Sequence, residues 1–516
     1  MLLGAAIAEA AALVPFHYLA TEDGPTNVAS AHIIANYPGP FGRYFKLDFL
    51  PKFDMLWQFT LSLAARVMPT LVAERIMLVL LVIALPVAGW YAARGIREDG
   101  GPAAFLLLPL TIGWFVHAGY HGFCLGVVLC LVSLGWWLRH RDEGARSYAV
   151  LAVLLVLAYL SHVIALAMAL GFIGVVLAWE AFTGSSRRRQ LGLLGVAALP
   201  ALLLVAMFVA RGTGESGVGR LSPATLIVNL VTLRPIIGSY SRAEVAIGVV
   251  VAAAVFIAAV ATVRGAPRVL RHEAHTWLVA ALGIVVVYFI TPANIGEGGQ
   301  ITERILVYAL VGASLWFASV PRSRTLTAAL VGVSLASGLA LTVLHIPKYA
   351  AFDKDITEFV SAGDHMSRGS TVLPVLLVQP KESHPGLAQS MYVRPVIQAA
   401  GFLVDENDAV DLSQFNGTLK FFITQFRSDV DPLELIGDGR TWVDQSPPAL
   451  DIRDYDRKTG GRGRIDYILV WGQNDASADV TNSPAYRDLR AQIDDGFELV
   501  YTSSRGHVQL YQRRSG

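Results

Sequence analysis

"GLALTVLHIPKY", residues 338–349, marks the point where the chain changes character. Upstream, residues 1–345 are dominated by long apolar runs; downstream, residues 346–516 have ordinary soluble composition, with many Asp, Arg, Gln and Ser. Proline cannot donate a backbone hydrogen bond and clashes with the preceding turn, so Pro347 is expected to stop a helix here. The two halves are a membrane domain, residues 1–346, and a soluble domain, residues 347–516. The whole chain is 54% hydrophobic and only 16% charged, with a mean hydropathy of +0.50. That is too apolar for a soluble protein of 516 residues and indicates a chain that passes a lipid bilayer many times. A net charge of +1 gives no electrostatic case for a nucleic-acid partner. Cys124 and Cys130 lie six residues apart in one apolar segment, on different helix faces, so neither a disulfide nor a metal pair is expected.

A helix needs about 20 apolar residues to cross a bilayer. Runs of that kind cover roughly 1–20, 71–93, 102–118, 120–138, 147–162, 164–182, 190–210, 243–263, 276–291, 303–320 and 325–345, about eleven in all. Two further stretches, 53–68 and 223–240, carry polar interruptions at helical spacing and read as interfacial helices along the membrane surface. Arginine sets the orientation. With a cytoplasmic N-terminus, the inner loops contain Arg94, Arg97, Arg139, Arg141, Arg146, Arg187 to Arg189, Arg264, Arg268, Arg271, Arg322 and Arg324. The short outer turns near 117–122, 162–164 and 291–302 contain no Lys or Arg, as the positive-inside rule requires. The long first loop, about 21–70, and the C-terminal domain are then extracytoplasmic.

That loop opens on "TEDGP", an acidic pair, Glu22 and Asp23, at the lip of the first apolar segment. The same face carries Arg220 and Arg234 in the loop 211–242, and Glu297 and Arg304 in "TPANIGEGGQITER", residues 291–304. Short turns add His117, His121 and His162. A carboxylate at the interface can act as general base on a hydroxyl, and arginine can hold a phosphate in a bidentate fork. Together they suit a reaction in which a lipid-linked phosphate leaves and a hydroxyl attacks. Blander roles exist for each group. Asp23 precedes Pro25 and could cap a helix starting there; the arginines could snorkel; His162 could bond a neighbouring carbonyl. His117 and His121, four apart, have a spacing a metal could use, but Gly119 and Gly122 favour a plain polar turn.

An apolar first helix, an acidic pair in a large first outer loop and an extracytoplasmic α/β domain after many spans resemble the C-type glycosyltransferase superfamily. "YLSHVIAL", 159–166, resembles the Ser-His at an outer helix end in many bacterial members, and the helix start "ERILVY", 303–308, is similar to their later spans. The resemblance implies a polyprenyl-phosphate-linked sugar donor, inversion at the anomeric carbon, and a glycan, lipid or protein acceptor at a bacterial inner membrane. It makes Asp23 the base, with Glu22 assisting or binding metal. It further implies that a divalent cation, Mg or Mn, could be held by Asp23 and Glu297. Arg304, Arg220, Arg234, His162 and His121 are then the candidate substrate-binding residues. The competing readings are a transporter or flippase of lipid-linked saccharide and a membrane-anchored binding or scaffold protein. A transporter would place charges near the bilayer midplane, often in repeats, whereas here they cluster at the outer rim. In the soluble domain, strands are expected at 370–379, 419–426 and 464–473, helices at 352–366 and 485–496, and a terminal hairpin around Arg505-Gly506.

Overall fold

The computed structural model describes residues 1–184, 187–211, 218–265, 274–295, 298–379, 384, 386–437 and 439–514. Its helices, in chain order, begin with α1 (Leu2–Ala11), α2 (Gly24–Asn36), α3 (Met55–Ala65) and α4 (Thr70–Ile96). The bundle continues with α5 (His121–His140), α6 (Ala145–Ser161), α7 (Val163–Phe182) and α8 (Arg188–Ala210). It is completed by α9 (Pro223–Thr232), α10 (Arg242–Gly265), α11 (Ala274–Ile290), α12 (Ile301–Ser319) and α13 (Arg324–Val360). Among the described residues, seven of these, α4, α5, α7, α8, α10, α12 and α13, are long and apolar enough to cross a membrane. The protein is therefore a helical, multi-pass membrane protein that also contains sheet.

Other expected spans are shorter in the structure. α1 has 10 residues, about half the rise a bilayer core demands. The segment 102–118 is broken into a 3₁₀ helix, Gly101–Leu107, and two single turns, Leu108–Thr111 and Trp114–His117. Pro102, Pro109 and Gly113 explain the breaks, since each withholds an amide or relaxes the backbone. α6 and α11 have 17 residues each.

The expected stop at Pro347 is also corrected: α13 runs straight through it to Val360. Pro347 forfeits one helical hydrogen bond, but Tyr349, Phe352, Ile356 and Phe359 are buried beyond it. Burial of several aromatic and branched side chains, about 1.5–3 kcal/mol each, outweighs a proline penalty of about 3 kcal/mol.

The C-terminal half carries α14 (Ala400–Asn407), α15 (Pro484–Gly496) and a five-stranded mixed sheet. Nine strands occur along the described chain: β1 (Phe45–Leu47), β2 (Val218–Gly219), β3 (Asn294–Ile295), β4 (Thr371–Leu376), β5 (Val410–Asp411), β6 (Thr424–Phe426), β7 (Tyr467–Trp471), β8 (Phe497–Thr502) and β9 (Val508–Arg513). The sheet order is β5-β4-β7-β9-β8, with β4 parallel to β5 and β7 and the β8–β9 hairpin antiparallel. Every side chain of β4 and β7 is buried, as expected of central strands covered on both faces. The first loop is built into this unit. β1 pairs antiparallel with β6, and Phe41 and Phe45 share a core with Leu373, Val375 and Ile468. α2 is packed between that core and α3 at the end of the helical bundle.

Candidate functional site

Where the first loop, the bundle and the C-terminal unit meet, a cleft of about 880 Å³ opens. Asp23, Asp54, His121, His162 and Arg304 line it, together with Phe53, Trp57 and Tyr120. The C-terminal unit contributes Asn416 and Phe421 among others. The bundle residues come from the N-terminal ends of α5, α7 and α12, all at one end of the bundle.

Asp23 is held by its backbone. The amide of Glu22 donates to the carbonyl of His117 (2.8 Å) and that of Asp23 to Ala118 (3.2 Å), while Asn27 Nδ2 donates to the Gly119 carbonyl (3.0 Å). Gly119 must be glycine twice over: its φ is +82°, and a Cβ there would lie 2.6 Å from the Gly24 nitrogen. Asp23 occupies the N-cap position of α2, yet its carboxylate makes no capping hydrogen bond. The capping role weighed from the sequence is therefore absent, and the carboxylate is left to the cleft. Burial and the neighbouring carboxylates of Glu22, Asp444 and Asp54 hold its pKa well above the usual range, against the pull of Arg394.

Glu22 is committed elsewhere. Arg394 of the C-terminal half donates to its Oε1 from Nε (3.0 Å) and Nη2 (2.7 Å), and the Arg394 amide donates to Oε2 (2.9 Å). The same guanidinium pairs with Asp444 through Nη1 (2.9 Å). Two adjacent acids thus have separate work: Glu22 fastens the C-terminal unit, and Asp23 faces the cleft.

The second cleft carboxylate, Asp54, was not singled out as a site residue from the sequence. It precedes α3 with φ of +65° and also makes no capping bond. A non-glycine residue in the left-handed region is uncommon and often marks a functional position. Gly122 makes room for it, since a Cβ there would come within 1.9 Å of Asp54 Oδ1. Burial pushes the Asp54 carboxyl up to about 7, opposed by Arg304. The signal present in the sequence was an acid placed directly before an apolar helix, alongside a glycine pair at 119 and 122.

Arg304 lies in the first turn of α12, over the rings of Tyr120 (4.9 Å) and Phe123 (5.7 Å). Its Nε is buried without a hydrogen-bond partner. His162 joins α6 to α7, and its Nδ1 accepts from the Ile164 amide (3.2 Å). His121 Nε2 contacts the Val116 carbonyl (3.2 Å), its ring packs on Trp57 (4.9 Å), and its Nδ1 has no partner. His117 turns away from the cleft, bonding Ser239 Oγ (2.8 Å) and the Tyr349 hydroxyl (2.6 Å), so the two histidines do not share a ligand. Arg220 and Arg234 do not line the cleft: both are exposed, and Arg234 bonds Asn229 (3.2 Å). Arg220 follows β2, which pairs with β3 beside the cleft-lining Gly298 and Gly299. Glu297 lies outside the described residues.

Among the described residues, no three His, Cys, Asp or Glu side chains converge as a metal site. Two carboxylates facing one cleft nonetheless fit a magnesium-like ion, which is held by one or two carboxylates, waters and substrate phosphates. Comparison with protein-family models gives no match, and no curated protein matches the chain.

Proposed function

We propose that this protein is a C-type membrane glycosyltransferase, making about eleven bilayer passes when the shorter apolar helices are included. On this reading the cleft and the C-terminal unit are on the extracytoplasmic face of a bacterial inner membrane. The sugar comes from a polyprenyl-phosphate donor and passes to a hydroxyl of a glycan, lipid or protein. The observation that carries the proposal is the pairing, in one cleft, of two carboxylates of raised pKa with a guanidinium whose buried Nε has no hydrogen-bond partner. Asp23 takes the proton of the acceptor hydroxyl, whose oxygen bonds to the anomeric carbon. The bond from that carbon to the phosphate oxygen breaks, and the phosphate leaves with the electron pair, held by Arg304. A carboxylate whose pKa is raised by burial and by Glu22 is a stronger base than an ordinary one, which suits that proton transfer. Where a divalent cation takes part, Asp23 and Asp54 would hold it and it would offset charge on the leaving phosphate.

A lipid-linked donor also suits the surroundings. Phe53 in the cleft stacks edge-on with Phe208 of α8 (4.7 Å). The same end of α8 exposes Leu203, Met207 and Val209, an apolar track for a prenyl chain. The deciding variant is Asp23→Asn, which keeps size and removes the base. Transfer from a polyprenyl-phosphate sugar is expected to fall about 10²–10⁴-fold, with the melting midpoint at or above that of wild type. Transfer at the wild-type rate would end the proposal.

A further inference from the structure

The opposite end of the bundle holds a second cavity, of about 1160 Å³. Arg97, Arg141 and Arg187 line it, with Glu180, Trp179 and Trp277. The cavity is built from the C-terminal ends of α4, α5, α7 and α12 and the start of α11. α5 and α7, whose N-terminal ends form the cleft, have 20 residues each. At 1.5 Å per residue the two cavities are separated by roughly 30 Å, the thickness of a bilayer core.

Its charge is unbalanced. Among the described lining residues, Glu180 is the one acid, and it answers both Arg141 (2.8 Å) and Arg187 (3.0 Å). Arg97 pairs with Asp99, which is 76% exposed and outside the lining, as is Asp142, the second partner of Arg187, at 70%. Acids so open to water compensate weakly. Arg322, in the loop before α13, adds a further cation close enough to Arg97 to feel its charge. Helix dipoles explain Arg97 and Arg141 at C-terminal ends, but Arg187 precedes the N-terminus of α8, where a cation is disfavoured. Guanidinium forks match phosphate oxygens, and tryptophan is enriched at headgroup depth. Two of the helices that line the cavity also expose apolar side chains near it in sequence, Phe182 of α7 and Val279 of α11. We propose that this cavity binds the phosphate headgroup of an anionic phospholipid, with the acyl chains lying against those apolar faces. The site is independent of the sugar-transfer reading.

The test uses the purified full-length protein and native mass spectrometry. Retention of phosphatidylglycerol is compared with phosphatidylcholine of the same chains and with inorganic phosphate as competitor. Phosphatidylglycerol is expected to be retained preferentially. Arg141→Gln/Arg187→Gln should lower that retention about tenfold or more, the scale of losing charge-assisted hydrogen bonds. Arg141→Lys/Arg187→Lys, which preserves charge and is the safer variant for folding, should lose part of it. Arg324→Gln, an exposed arginine at the same end, should lose none. Unchanged retention in both double variants would overturn the site. So would an equal loss in Arg324→Gln, or displacement of the lipid by millimolar inorganic phosphate.

Discussion

The two ends of the helical bundle are built from the same helices but obey different local rules. At the arginine-rich end, Arg97 and Arg141 follow helix C-termini, and each has an acid within 2.8 Å. At the cleft end, groups stand where local energetics would not put them. Arg304 occupies the first turn of α12, against the helix dipole. Asp54 has a left-handed backbone, and Asp23 stands at an N-cap without capping. A cation, a strained residue and an idle cap each cost about 1 kcal/mol or more. Their convergence on one cleft is what marks that end as the candidate site for the proposed transfer.

Removing the space that Asp54 occupies is the strongest way to break this contrast. Gly122→Ala should favour α5 by its helix propensity, yet its Cβ would collide with Asp54 Oδ1. Displacing that carboxylate by about 1 Å is expected to cost on the order of 10²-fold in sugar transfer, in a protein that still folds. A steady-state assay with a polyprenyl-phosphate donor, beside a melting curve, checks both halves. An alanine variant of full activity would show that Asp54 has no part in the reaction.

Arg304→Lys comes next in size. The ammonium keeps the charge and loses the fork, so transfer should fall roughly tenfold through weaker stabilisation of the leaving phosphate. If Arg304 is only a rim charge over Tyr120, the lysine variant will work as well as wild type.

The split between the ends also shows in what could be read beforehand. Asp23 and Arg304 were legible because each violates a local expectation within its own segment: an acidic pair before Gly24-Pro25, and a cation opening an apolar helix. The strands 371–376 and 467–471 and the hairpin around Gly506 were legible from short continuous apolar runs and turn residues. What depended on distant partners was not. The fastening of Glu22 depends on Arg394, 372 residues away, and the site of Asp54 depends on Gly122. β1 is a three-residue strand that exists only because β6 pairs with it. Pro347 was read by a local rule that burial of Tyr349 and Phe352 overrides.

A smaller effect sharpens the energetic side. Asp54 is held near pH 7 by burial, so between about pH 4 and 7 it stays protonated in the folded cleft while an unfolded carboxyl would be ionised. The folded state then binds more protons, and stability falls as pH rises through that window. Asp54→Asn removes the penalty. It should melt a few degrees above wild type at pH 8 and level with it at pH 4, in a differential scan at both values. Activity should run the other way in wild type, rising as pH climbs through about 7 and the carboxylate forms. A stability difference that is the same at both pH values would mean that the Asp54 carboxyl is not raised.

The smallest expected change in activity belongs to the residue next to the proposed base. Glu22→Gln preserves shape and the bond from the Arg394 amide, but it removes the charge that the guanidinium forks. Arg394 retains Asp444 as an ionic partner, so its charge is not stranded. The loss is therefore one charge-assisted contact in a partly exposed setting, about 1–2 kcal/mol of stability. Because Glu22 raises the pKa of Asp23, neutralising it should also make Asp23 a somewhat weaker base. Transfer should drop only a few-fold, and the acidic limb of the pH–rate profile should move to lower pH. Two adjacent carboxamide variants, Asp23→Asn and Glu22→Gln, then differ by at least an order of magnitude in rate and in the opposite sense in melting midpoint. If Glu22→Gln instead collapsed transfer at unchanged stability, Glu22 would belong to the reaction and Arg394 would be its positioning partner rather than a fastening.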